Sequence, residues 1–411
     1  MYPEYPAPAT PPGPLASDSD SGGVCPVCGF VPTSIFFQLP GIPASDGALW
    51  PSREQAYAAP TSDFRLAFCP GCGYIGNEAF DLEKVAYAPG YNSSLHYSPV
   101  YQNFIDRLVQ ELVVNYGIRD KTVCEIGCGN GDFLLSLCRL GHNTGFGVDP
   151  TVQPHTIELE EGSTVTFVQD LYGERYAHCQ ADLICARHVL SDGPDPEELV
   201  QLVRRACAAR PDTLIYFEVP NAQLILQDLA VWNLMHEHRS YFTEDSLVRL
   251  VQRGGFTVRT VGPRFSGQYL GIIAGASDTP VGTVLPSSQA LNDLAMDVAA
   301  FSQRFGETVA TWRSTIADIE RSGRRAVAWG AGGRAITLLN VLHVGNLIPY
   351  VVDVNPMKQG TFLPVTGQQI VAPSFLVDYQ PDLIVITNAA FEGEIREQVR
   401  EFGLSCEFLV A

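Results

Sequence analysis

The stretch Val123-Cys124-Glu125-Ile126-Gly127-Cys128-Gly129-Asn130-Gly131-Asp132-Phe133 sets the fold class of this chain. An apolar strand runs into a glycine-rich turn, and Phe133-Leu134-Leu135-Ser136-Leu137-Cys138 continues as a helix. Glycines there allow a tight turn and a close backbone approach to a ligand at the helix N-terminus. Glu125, Gly127, Gly129 and Gly131 are therefore candidate cofactor contacts. A second strand, Gly145-Phe146-Gly147-Val148-Asp149-Pro150, follows about 20 residues on, and Asp149 at its C-terminal end can take both hydroxyls of a ribose. Outward from this unit, apolar strands alternate with amphipathic helices over roughly 100–280, the pattern of a parallel sheet. A strand–turn–helix pattern starts again at Arg325 and runs to the end.

The order Glu-Ile-Gly-Cys-Gly-Asn-Gly, then Val-Asp-Pro, resembles motifs I and II of class I methyltransferases, with a dinucleotide-binding domain as the competing reading. On that resemblance S-adenosyl-L-methionine is the cofactor. A third strand, 165–171, would bring Asp170 beside its adenine, and a fourth, 181–190, would end at the site with Arg187 and His188.

Upstream, Cys25-Pro-Val-Cys28-Gly29 and Cys69-Pro-Gly-Cys72-Gly73 form two matched knuckles. Each turn points two thiolates at one ion, and together they close a tetrahedral four-sulfur site with no open position. Cys25, Cys28, Cys69 and Cys72 are thus expected to hold a structural Zn2+, stapling a small lid module too poor in core to stand alone. The other seven of the 11 cysteines are scattered, mostly in apolar runs, and read as small buried hydrophobes.

With 411 residues the chain exceeds one ordinary core, and 46% hydrophobic content is that of a globular protein. A net charge of −19 repels phosphate backbones, so nucleic acid is not an expected partner. No apolar run is long enough to span a bilayer, and the Pro- and Ala-rich start lacks a basic flank and an apolar core. A cytoplasmic protein is expected. Five segments follow: a disordered leader at 1–22, the zinc-binding module at 23–95, a methyltransferase core at 96–285, a helical connector at 286–323, either one long helix or a hairpin, and a second Rossmann-like domain at 324–411. The fold class is α/β throughout. Oligomeric state is left open.

Further motifs narrow the reading. They are Tyr91-Asn92-Ser93-Ser94, Arg187-His188-Val189-Leu190, Glu218-Val219-Pro220, His236-Glu237-His238 followed by Tyr241-Phe242, Val327 to Ala335 around Gly330-Ala331-Gly332-Gly333, and Val352 to Gly360. Carrying these, the chain is similar to the three-part sugar C-methyltransferases, which join a zinc-binding domain, a class I core and a C-methyltransferase C-terminal domain. The resemblance implies methylation of the carbon beside a ketone in a nucleotide-linked deoxysugar, through an enolate. It implies His238 as general base, Glu237 as its orienting or proton-relaying partner, His236 as third choice, and His188 and Tyr91 as contacts to the enolate or sugar. It also implies that the C-terminal half holds the nucleotide end of the acceptor. Two positions depart from the family pattern. Met235 stands where a tyrosine usually precedes His-Glu-His, and Ser191-Asp192 stand where many relatives carry Glu-His. Gly267-Gln268-Tyr269-Leu270 is a candidate for the polar role lost at Met235. The alternatives are a methyltransferase acting at O, N or C of another small metabolite, a non-catalytic protein binding cofactor or nucleotide, or a nicotinamide enzyme built on the C-terminal glycine loop. The His-Glu-His residues could instead cap the next helix or bind a metal.

Overall fold

The computed structural model describes residues 22–85, 87, 91–177, 179–227, 231–276 and 287–411. The leader expected at 1–22 lies almost wholly outside these residues, as does the boundary expected at 285–286.

The N-terminal module contains β1 (Ser34–Pro43), α1 (Arg53–Tyr57), β2 (Thr61–Phe68) and β3 (Ile75–Asn77). The core follows in chain order as α2 (Pro99–Asn115), β4 (Thr122–Ile126), α3 (Asp132–Gly141), β5 (Thr144–Asp149), β6 (His155–Glu158), β7 (Thr164–Gln169), β8 (Leu183–Arg187), α4 (Pro196–Ala206), β9 (Leu214–Pro220), α5 (Ala222–Gln227), β10 (Ser240–Tyr241), α6 (Glu244–Arg253), β11 (Phe256–Arg264) and β12 (Tyr269–Ala276). One continuous helix, α7 (Ser288–Ser322), leads to β13 (Ala326–Trp329), α8 (Gly333–Leu342), β14 (Tyr350–Val352), β15 (Gln369–Val371), α9 (Phe375–Tyr379), β16 (Leu383–Ile386), α10 (Glu392–Glu401) and β17 (Glu407–Val410).

The core sheet runs β11-β12-β9-β8-β4-β5-β7-β6. Its middle is parallel and doubly wound, reversing direction between β4 and β8, so its ligand crevice lies beyond the strand ends there. The end of the sheet departs from an all-parallel expectation. β12 pairs antiparallel with β9 and with β11, and β6 closes the other edge as a hairpin with β7. The C-terminal sheet, β15-β14-β13-β16-β17, is parallel throughout and repeats the same switch between β13 and β16. Helices bury both faces of each sheet, as parallel strands without a polar face require.

The 35 residues of α7 resolve the choice between helix and hairpin. Ser287 caps its first turn by accepting from the Ala290 amide, and Gly323 ends it in the left-handed region. Its buried stripe of Val298, Phe301, Phe305, Val309, Ile316 and Ile319 joins Phe36, Phe37 and Phe64 of the N-terminal module to Ile336 and Leu339 of α8 in one apolar cluster.

The N-terminal module is not a free lid. Its sheet runs β1-β2-β3-β10, so the fourth strand comes from the core. Ser240 and Tyr241 pair with Gly76 and Ile75, immediately after His236-Glu237-His238.

Candidate active site and metal centre

The four knuckle cysteines converge. Their sulfurs all lie within 4.8 Å of one another, with Cys25 to Cys72 at 3.6 Å and Cys28 to Cys69 at 3.5 Å. Four sulfurs about 2.3 Å from one tetrahedral ion sit roughly 3.8 Å apart, so the donor set and its spacing fit zinc. The two turns match in backbone detail. The Gly29 amide donates to the Cys25 carbonyl and the Gly73 amide to the Cys69 carbonyl, both at 2.9 Å. Both glycines have φ near 75°, a left-handed conformation that other residues adopt at a cost. Cys25, Cys69 and Cys72 are fully buried against Tyr74 and Phe242, which ties the centre to the core.

In the glycine turn, Gly127 has φ 68°, and a Cβ there would fall 2.2 Å from a Val189 methyl. The turn therefore touches the segment that carries His188. Asp149 is clasped to the turn: its Oδ2 accepts from the Gly129 amide at 2.8 Å, and its Oδ1 from the Thr151 amide and hydroxyl at 2.7 and 2.6 Å. Glu125 is buried below, with one oxygen lacking a partner. Burial pushes its carboxyl up to about 8, with Arg187 pulling it down and Asp149 pushing it further up. Asp170 stands at the end of β7, where it accepts from the Leu171 amide, Arg175 and Tyr176.

Arg187 turns into the protein. Its guanidinium donates to Glu218 at 3.0 and 3.1 Å and to the Tyr101 hydroxyl at 2.7 Å, and lies over the Phe133 ring. Burial alone would raise the Glu218 carboxyl, but Arg187, His188 and Tyr216 hold it at about 2. His188 completes this group with Nε2 3.2 Å from Glu218, in a left-handed backbone conformation (φ 60°). Such a conformation is uncommon for a non-glycine residue and is often found at functional sites. The Tyr269 ring packs edge-on against His188 at 4.4 Å. Next to it, Gln268 and Asn388 exchange amide hydrogen bonds at 3.0 and 3.1 Å, joining the core to the C-terminal domain.

The His-Glu-His stretch divides into three roles. His236 is structural: its Nε2 accepts from the Asp81 amide, its Nδ1 faces the Asp63 carbonyl, and Phe80 stacks on the ring. Glu237 points at the N-terminal module. Its Oε1 accepts from the Ser45 hydroxyl at 2.5 Å and the Asp46 amide at 2.9 Å, and its Oε2 from the Tyr91 hydroxyl at 2.8 Å. Burial and the neighbouring Asp46 raise its carboxyl well above the usual range. His238 faces the segment after β8, with Nε2 3.8 Å from Asp192, and burial lowers it to about 4. The stretch does not cap the next helix, because Thr243 and Ser246 form that capping box themselves.

Met235, in the place of a tyrosine, lies in a small cleft with Asp46 and Gly333, where the N-terminal module, the core and α8 meet. The C-terminal glycine loop reproduces the clasp of the core. Asp353 Oδ2 accepts from the Ala331 amide at 2.7 Å and its Oδ1 from the Asn355 amide at 2.8 Å. Asn355 in turn donates to Asn92 at 2.8 Å, so the loop before α2 bridges both glycine turns through Asn92 and through Ser94, whose hydroxyl donates to Asp132. Ser45, Asp46, Tyr87 and Tyr101 gave no signal in the sequence, since their roles depend on segments far apart in the chain.

Fold and site define a methyltransferase of the S-adenosylmethionine-dependent class. Residues 97–261 match the family of methyltransferase domains, and residues 286–410 match the C-methyltransferase C-terminal domain. The chain thus carries a methyltransferase domain followed by a C-methyltransferase C-terminal domain. C-methyltransferase NovU of Streptomyces niveus is 26% identical over 72% of this chain and 73% of its own length. The ubiquinone biosynthesis O-methyltransferase of Shewanella sp. (strain ANA-3) is 25% identical over 38% of this chain and 68% of its own. Among solved structures, the magnesium protoporphyrin IX methyltransferase ChlM of Synechocystis PCC 6803, with bound SAH, aligns at 19% identity over 43% of this chain and 84% of that one, with a TM-score of 0.33.

Proposed function

We propose that the chain transfers a methyl group from S-adenosyl-L-methionine to the carbon beside a ketone in a nucleotide-linked deoxysugar. The observation that carries this reading is the contact of Gly127 with Val189, which puts the glycine turn against the 188–192 segment facing His238. Asp149 and the amides at 127–131 grip the nucleoside, and Asp170 stands nearby for the base. The cofactor supplies an electrophilic methyl on a sulfonium centre. His238 takes the proton from the acceptor carbon, and the electron pair passes into an enolate. His188 and Tyr91 contact the enolate or the sugar, and fixed donors at a developing negative charge are the strongest lever such a site has. The four cysteines hold zinc away from this chemistry. The Gly330–Gly333 loop and the start of α8 face the nucleotide end of the acceptor.

Two measurements test it. In calorimetric titration with S-adenosylhomocysteine, Asp149→Ala weakens binding at least about tenfold, since charge-assisted hydrogen bonds contribute about 1.5–3 kcal/mol. With S-adenosylhomocysteine and a thymidine-diphosphate 4-keto-6-deoxysugar bound, solvent deuterium enters beside the ketone, and His238→Ala slows the exchange at least about a hundredfold. Methyl transfer without exchange would assign the chemistry to an oxygen or nitrogen instead.

A further inference from the structure

The family resemblance gives Glu237 to His238 as its partner, but the geometry does not bring them together. Both Glu237 oxygens are engaged by Ser45, Asp46 and Tyr91, on the side of the N-terminal module. The carboxyl group in ion-pair range of the His238 ring is that of Asp192, at 3.8 Å from Nε2. Nδ1 is buried with no hydrogen-bond partner among the described residues. Proton traffic at this ring therefore runs through Nε2, beside Asp192.

Asp192 is held in place for this. The Ser191 hydroxyl donates to its Oδ1 at 2.7 Å and the Tyr87 hydroxyl to its Oδ2 at 3.3 Å. The two segments are fastened to each other, because the Ser240 amide donates to the Ser191 carbonyl at 2.9 Å, two residues beyond His238. Resting on the function proposed above, we propose that Asp192 is the positioning residue of His238, holding a carboxyl oxygen beside the ring nitrogen that takes the acceptor's proton. A separation of 3.8 Å is longer than a formed hydrogen bond, and it leaves the Nε2 lone pair open to an acceptor carbon. When the ring takes that proton, the C–H pair passes into the enolate and the new positive charge has a carboxyl oxygen beside it. Burial otherwise opposes charge on both groups, holding the imidazole down and the Asp192 carboxyl well up. The other ionisable groups around the ring are Asp46, His188 and Tyr241.

The test uses the full chain labelled with 15N-histidine, with the His238 signals assigned by their loss in His238→Gln. At neutral pH, Asp192→Asn moves both ring nitrogen signals further than Glu237→Gln or Asp46→Asn does, and Asp192→Glu restores them in part. Signals unmoved by Asp192→Asn, or moved further by either of the other two, overturn the proposal. In the deuterium-exchange reaction, Asp192→Asn slows exchange at least tenfold with little change in KM, and adds less than twofold in the His238→Ala background. Additive losses mean that Asp192 acts independently of His238 and likewise overturn it. If the wild-type chain exchanges nothing with the keto-deoxysugar nucleotide, the sugar reading falls, and the ring signals alone decide the role of Asp192.

Discussion

Glu125 shows how the site stores its chemistry in single side chains. Its buried carboxyl titrates near 8 instead of the ordinary 4.5. The preference of the folded state for the neutral acid stabilises the protein fully below the ordinary value. That stabilisation is lost as pH rises through the folded value. Glu125→Gln cannot ionise, so thermal unfolding followed from pH 5 to pH 9 shows the variant gaining on the wild type across this window, by a few kcal/mol at most. Parallel curves would place Glu125 in a more polar setting than its burial indicates. The contrast with Glu218 is instructive, because both carboxylates are buried beneath the same crevice. Glu218 has Arg187, His188 and Tyr216 around it and stays ionised, whereas Glu125 has one unpartnered oxygen and a like charge in Asp149.

Between the elements, strand pairing does what sequence patterns could not announce. The glycine turn and its aspartate were legible because strand, turn and helix are contiguous and each carries a local signature. The cysteine knuckles were legible because two CxxC pairs are a local four-thiolate pattern. β10 has only two residues, too few for any periodicity, and its partner lies about 160 residues earlier, so nothing local marks it. The same holds for Asp46, whose place beside Glu237 depends on that pairing, and for β12, which reads as one more apolar strand whichever way it runs. The pairing leads to a measurable dependence. The Asn77 amide donates to the Arg239 carbonyl at 2.9 Å, and the Arg239 guanidinium donates to the Asn77 carbonyl at 3.0 Å. With zinc at the four cysteines, as proposed, a chelator is expected to loosen both partners. In hydrogen–deuterium exchange, peptides covering 61–77 and 236–241 exchange at least about tenfold faster after chelation, while those covering β13 and β16 do not change. Unchanged protection at 236–241 would detach the histidine stretch from the metal centre.

For the whole molecule, the modules share part of their interiors, beside the clusters that the core sheet and the C-terminal sheet keep to themselves. One apolar cluster runs from the N-terminal sheet through α7 into α8 and β13. Polar ties add to it: Ser98 donates to Glu394 at 2.6 Å, and Gln268 pairs with Asn388. A chain ending at residue 286 leaves Phe36 and Phe37 facing water in place of Phe301 and Phe305. Such exposed apolar surface drives association. Size-exclusion chromatography should find this truncation aggregated, and a monodisperse species with full affinity for S-adenosylhomocysteine would contradict a shared core. The sequence showed where the segments change but not that they share an interior, because burial against a distant partner leaves no mark on local pattern.

The fourth strand of the N-terminal sheet also bears on protein engineering. A transplant of residues 96–285 into another scaffold would carry the nucleoside grip intact but leave the histidines unmoored. The smallest portable unit of the N-terminal sheet is discontinuous, comprising the segment 22–77 and the segment 236–241 that closes it. Exchanging acceptor preference between relatives by module swapping would have to move both segments at once.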